Sequence, residues 1–161
     1  MLLVIDANVL IDYVQIDSSI LALASRYLGN IHVPSVILDE VDQLDDAECE
    51  RLGLIVIEEP LDVLLAASEL RGRLSFEDRV CLQLTQRENW TCVTNDKSLR
   101  NACKEEGVEV LWGMRLMLEL VKGEHLERKA AIDIAWAIHA VNPKHITDKI
   151  VNEFKVKLSK L

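Results

Sequence analysis

The chain has 161 residues, half of them hydrophobic, and a mean hydropathy of +0.13. That size suits one domain with a sizeable core and excludes a disordered chain. The net charge is −9, and it is unevenly spread: residues 1–50 hold ten acids and one base, Arg26, whereas acids and bases balance over the rest. Such a chain lacks the overall basic footprint of a tight, nonspecific nucleic-acid binder. No apolar run approaches the ~18 residues of a membrane span. Met1–Ile5 meets an aspartate too soon for a signal peptide, so a cytoplasmic protein with no membrane attachment is expected.

Strand and helix patterns alternate along the chain. Leu2–Ile5 is a short apolar run of the buried-strand kind, ending at Asp6. Helices are expected over about Asn8–Tyr13 and Ser18–Leu28, the second closed by Gly29. Ile31–Val33 is the second strand, and Pro34 suits the first turn of a helix running to about Leu44. A short helix over Ala47–Leu52 stops at Gly53. Leu54–Ile57 is the third strand, and Leu61–Arg71 the next helix. Ser75-Phe76-Glu77-Asp78 has the form of a capping box and opens a helix to about Asn89. Thr91–Thr94 is the fourth strand, followed by a helix from about Asp96 to Glu106. Val108–Leu111 is the fifth. This alternation predicts an α/β fold with a mainly parallel five-stranded sheet.

The remainder reads as helical. Leu126, Ala130, Ile134, Ala137 and Val141 recur at steps of three or four, as do Ile146, Ile150, Phe154, Leu158 and Leu161, with Asn142-Pro143 between the two stripes. The chain is therefore divided into a domain over 1–122 and a helical C-terminal extension over 123–161. The extension packs on the domain or forms an interface, a homodimer included.

Asp6, Glu40, Asp78 and Asp96 carry most of the functional signal. Asp6 and Asp96 follow strands directly, and in an open parallel sheet the carboxyl ends of the strands share one crevice. Joined there by acids from neighbouring helices, they make an oxygen-rich pocket suited to Mg²⁺ or Mn²⁺. Each has a plainer explanation when taken singly. Asp6 and Asp96 stand where helix N-caps stand, Asp39 competes with Glu40, and Glu77 competes with Asp78. Cys49, Cys81, Cys92 and Cys103 show no metal-ligand spacing and read as small buried apolar residues. The four histidines are scattered. Aromatic residues are too few to suggest a base-stacking surface, and Trp90, Trp112 and Trp136 read as core or interface.

Four segments together resemble a PIN domain, from Met1 to about Lys122: Val4-Ile5-Asp6-Ala7-Asn8-Val9-Leu10, Pro34-Ser35-Val36-Ile37-Leu38-Asp39-Glu40-Val41, Leu74-Ser75-Phe76-Glu77-Asp78-Arg79 and Val93-Thr94-Asn95-Asp96-Lys97. The resemblance implies a Mg²⁺- or Mn²⁺-dependent ribonuclease, and many small members of that family are toxins of VapC-type toxin–antitoxin pairs. It makes Asp6, Glu40, Asp78 and Asp96 the catalytic, metal-binding acids, with Asn8 and Thr94 as supporting polar groups. An RNA substrate and an antitoxin protein are the partners it implies. Lys97, Arg100 and Lys104 fall at helical steps on one face and, with Arg79, are candidates for RNA phosphate contacts.

Two other classes compete. An aspartyl phosphatase built on Asp6 usually has a second acid two residues later, where this chain has Asn8. A non-catalytic metal- or RNA-binding module would have no need to keep all four acids.

Overall fold

The computed structural model describes residues 1–69 and 71–161. Five strands form one sheet, all parallel, in the order β3-β2-β1-β4-β5. They are β1 (Leu2–Ile5), β2 (Asn30–Pro34), β3 (Ile55–Ile57), β4 (Thr91–Val93) and β5 (Val110–Leu111). Among the described residues ten helices accompany them. Between the strands lie α1 (Ala7–Ile16), α2 (Ser19–Tyr27), α3 (Ser35–Leu38), α4 (Asp46–Leu52), α5 (Leu61–Glu69), α6 (Phe76–Glu88) and α7 (Lys97–Glu105). After the last strand come α8 (Gly113–Lys122), α9 (Arg128–Val141) and α10 (Asp148–Ser159). The α/β class and the parallel sheet expected from the sequence are both present. Position 70, inside the helix expected over Leu61–Arg71, lies outside the described residues.

The strand order decides where a site can be. From β1 the chain winds outward through β2 and β3, then returns to place β4 on the opposite side of β1. At such a reversal the flanking connections lead to opposite sides of the sheet and leave a crevice beyond the carboxyl ends of the two strands. Here those ends are Ile5, which leads into Asp6, and Val93, which leads into Thr94. The two strands are locked together there, since Asp6 N–H donates to Val93 O at 3.0 Å.

Burial accounts for the rigidity of this frame. Leu3, Val4, Ile5, Ile31, Val33, Cys92 and Val93 are all completely buried, and each aliphatic side chain of this kind contributes roughly 1.5–3 kcal/mol on burial. All four cysteines are buried free thiols.

Two stretches depart from the expected elements. The helix predicted from Pro34 to Leu44 is a single turn, α3, followed by successive three-residue turns: Glu40 N–H to Ile37 O at 3.1 Å and Val41 N–H to Leu38 O at 2.9 Å. Tightening the chain in this way buries Val41 and Leu44 and leaves Asp39, Glu40 and Asp42 outside. In α9 the inward face is Ala131, Ile134, Ala135 and Ile138, and Val141 is exposed. The predicted stripe on α9 is therefore rotated. This helix packs against α1, α8 and α10 at once, and small residues suit its crowded side. On α10 the predicted Phe154 and Leu158 are buried, together with Val151, while Leu161 lies past the helix and is exposed.

The C-terminal helices share the core of the sheet domain: Ala131, Ile138, Ile146, Val151, Phe154 and Leu158 belong to the same continuous cluster as the strands. Among the described residues no single helix is long and apolar enough to cross a membrane.

Candidate metal centre

Asp6 stands at the switch point, only 3 % exposed. It occupies the N-cap position of α1 without a full-strength side-chain cap bond, although the Asn8 backbone N–H in the first turn lies near enough to ease its carboxylate. Its well-formed bond runs across the crevice: the Thr94 hydroxyl, itself fully buried, donates to Asp6 Oδ2 at 3.0 Å. Capping alone therefore does not account for this aspartate.

Burial and two neighbouring carboxylates act on Asp6 in the same direction. Desolvation is the largest influence, the charge of Asp78 comes next, and Asp96 adds to both; the Thr94 bond and the Asn8 backbone N–H oppose them. The result pushes the Asp6 carboxyl up to about 7. A buried carboxyl beside like charges gives up its proton reluctantly.

Asp78 is the third residue of α6. Ser75 caps that helix, its hydroxyl accepting from Asp78 N–H at 3.1 Å. The predicted capping box is present and reciprocal, because the Ser75 backbone and hydroxyl both ease the Asp78 carboxylate. Burial, then Asp96, still hold the Asp78 carboxyl above its ordinary range.

Asp96 is the N-cap of α7, and its Oδ1 accepts from Leu99 N–H at 2.8 Å. Here the cap explanation is correct for one oxygen and leaves Oδ2 for another partner. Asp96 N–H in turn donates to Thr94 Oγ1 at 3.0 Å.

Glu40 lies at the rim, in the turn after α3 rather than on a helix, and is exposed. Its carboxyl is raised by partial burial, then by Glu77 and Asp78. The structure thus brings Asp6, Asp78 and Asp96 into one electrostatic group, with Glu40 joined to it through Asp78. Glu77, which the sequence offers only as a competitor to Asp78, belongs to the same acidic rim.

Asn8 supports Asp6 through its backbone N–H, and its side chain is exposed. Among the bases, Lys97 and Lys104 are exposed on α7. Arg100 is half-buried, donates Nε to Asp96 O at 3.3 Å and stacks on Trp112. Arg79 has a structural use: its guanidinium donates to Leu74 O at 2.8 Å and Ala67 O at 3.4 Å, tying α5 to the start of α6.

Sequence reasoning missed Glu59. From the loop after β3 its carboxylate accepts from Ser35 Oγ at 2.7 Å and from Val36 N–H at 2.8 Å. It thereby pins the short helix α3, after which Glu40 stands in the following turn. The only sequence signal was an acid two residues past a strand, which is too common to read.

The donor set is all oxygen, it is poorly solvated at Asp6, and its carboxylates repel one another without a counter-charge. Among the described residues no three Asp, Glu, His or Cys side chains form a ready-made cage for a metal ion. That is compatible with Mg²⁺, which keeps several waters and takes one or two carboxylates along with substrate oxygens.

No protein-family model matches the chain, and no curated protein matches it in sequence. Among solved structures it is similar to a PilT N-terminus domain protein from the hyperthermophilic archaeon Sulfolobus solfataricus P2. The TM-score is 0.53 and the identity 18 %, and the match covers 74 % of this chain and 92 % of that one. The likeness is one of fold: the chain has an α/β fold similar to that of this PilT N-terminus domain protein.

Proposed function

We propose that this protein is a Mg²⁺- or Mn²⁺-dependent ribonuclease whose site is the crevice of Asp6, Asp78 and Asp96, with Glu40 at its rim. The observation that carries this reading is Asp6: a carboxyl buried at the switch point of a parallel sheet, with like charges beside it and its proton affinity raised to about 7. A purely structural aspartate gains nothing from that position, whereas a metal ligand does.

Asp6, Asp78 and Asp96 would hold the ion, and Glu40 would complete the set or orient a water. A bound divalent ion supplies a water of lowered pKa and offsets charge on the phosphate and the leaving oxygen. The chain's own residues do the positioning. Thr94 fixes the orientation of Asp6, Ser75 fixes Asp78, and the Leu99 N–H fixes Asp96. Lys97 and Lys104, exposed on α7, offer cations to RNA phosphates.

The role of toxin in a toxin–antitoxin pair is favoured by the acidic first third of the chain, which suits a basic partner covering the crevice. Such a partner would act in the cytoplasm, where its RNA targets are.

The test is cleavage of a mixed RNA pool in Mn²⁺ or Mg²⁺, with EDTA and the Asp6→Asn variant as controls. Cutting that disappears in both controls supports the reading. Cutting that survives in the variant overturns it, and metal binding without cutting of any RNA turns the reading to a binding module.

A further inference from the structure

Composition argues against a base-stacking surface, but Trp112 is placed like one. It follows β5 at the carboxyl end of the edge strand, caps α8 and is 44 % exposed. Trp90, by contrast, is half-buried and stacked on His32. The guanidinium carbon of Arg100 stands 3.6 Å over the Trp112 ring centroid. The same guanidinium reaches Asp96 O through Nε at 3.3 Å. An aromatic–cation pair is thus fastened to the backbone at the start of α7, where Asp96 is the N-cap.

Beside the ring opens a cavity of about 180 Å³. Leu111, Met114 and Phe154 contribute its apolar lining, Arg115 and Lys157 its cations, and Glu153 an acid. Arg115 is held by Glu119 at 2.6 Å. The space is smaller than the roughly 300 Å³ at which cavities for drug-sized ligands begin, and it suits one planar ring system.

We propose that Trp112, Arg100 and this cavity form a base subsite for single-stranded RNA, next to the bond that is cut. The choice of RNA rests on the ribonuclease reading. Three features favour this occupant. A planar aromatic–guanidinium pair offers a stacking layer that an unpaired base can use and a paired one cannot reach. Arg100 lies on the ring and Lys157 lines the cavity, so cations stand beside the ring in a chain whose net charge is −9. The site also adjoins Asp96, so a strand whose phosphate sits over the acids can place a neighbouring base here. An apolar protein segment would use the cavity but would have no need for the cations.

The test is binding of a six-nucleotide RNA to the full chain in EDTA at low salt, against an abasic strand of the same length. Wild type is expected to prefer the base-bearing strand, and Trp112→Ala to lose about tenfold or more for that strand alone. Trp112→Phe, which keeps a ring, should retain most of the preference. Should the alanine variant not fold, photocrosslinking of a 5-iodouracil oligonucleotide to wild type decides, with the adduct expected on Trp112. Equal binding of the two strands by wild type, an unchanged preference in the variant, or an adduct elsewhere overturns the subsite. Because no cleavage is involved, a protein that binds bases at Trp112 but never cuts keeps the subsite and loses the nuclease. One that cuts equally well with alanine at 112 does the reverse.

Discussion

Thr94 Oγ1 donates to Asp6 Oδ2 at 3.0 Å and accepts from the Asp96 N–H at the same distance. One buried hydroxyl thereby ties the acid after β1 to the acid after β4. Thr94→Val keeps the shape and removes both bonds, leaving a buried carboxyl without its donor. A loss of about 1–3 kcal/mol is expected in urea unfolding, with metal affinity falling as Asp6 loses its orientation. Thr94→Ser, which retains the hydroxyl, should recover most of both.

Asp6 makes the metal-free protein pH-sensitive in a definite direction. Its folded value of about 7 lies above the ordinary 3.8, so the folded state holds this proton more tightly than the unfolded state does. Stability from this group is therefore highest below about pH 4 and declines as pH rises toward 7, after which the penalty is constant. A difference of this size corresponds to a penalty on the order of 4 kcal/mol. Asp6→Asn should raise the metal-free Tm at pH 8 and change it little at pH 4. Added Mn²⁺ should stabilise wild type at pH 8 and leave the variant unmoved, as differential scanning calorimetry would show.

Glu59 holds the start of α3 through Ser35 Oγ and Val36 N–H, and Glu40 follows at the other end of that one turn. Glu59→Ala should reduce cleavage by roughly 10-fold, the usual scale for a group that orients a ligand from behind. Because the defect lies in placement of Glu40, higher Mn²⁺ should recover part of the activity. A titration of rate against metal concentration separates this from a general loss of folding.

Much of the fold was legible because strands β1 and β4 announce themselves as apolar runs ending in acids, and the chain alternates helices between them. Asp6 and Asp96 follow from that pattern, and Asp78 from the capping box that opens α6. What the sequence did not carry was orientation. Aromatic scarcity says nothing about whether Trp112 faces inward, and it is strand order that puts it on an edge. Arg79 looks like a free cation in sequence, but the nearby carbonyls of Leu74 and Ala67 engage it. The α3 turn defeated helical periodicity because Val41 and Leu44 reach the core only if the helix stops. On α9 the rotated face reflects packing against several helices, which a single apolar stripe cannot encode.

Asp12 and Asn142 link α1 to the α9–α10 turn, 130 residues apart in sequence. Asp12 is 4 % exposed, its Oδ1 accepts from Asn142 Nδ2 at 3.0 Å, and its Oδ2 has no partner among the described residues. Burial raises its carboxyl, while Asn142 and then His145 draw it back down. Asn142→Ala removes the donor that favours the charged form, so the folded-state proton affinity should rise further. The cost should then be largest at alkaline pH, about 1–3 kcal/mol, and shrink in acid where Asp12 is protonated in both states. Asp12→Asn keeps an acceptor for Asn142 without a buried charge and should be as stable as wild type or more so at pH 8. Urea unfolding of the three proteins at pH 5 and pH 8 reads both differences. RNA cutting per folded molecule should stay unchanged in both variants, since neither residue faces the crevice acids.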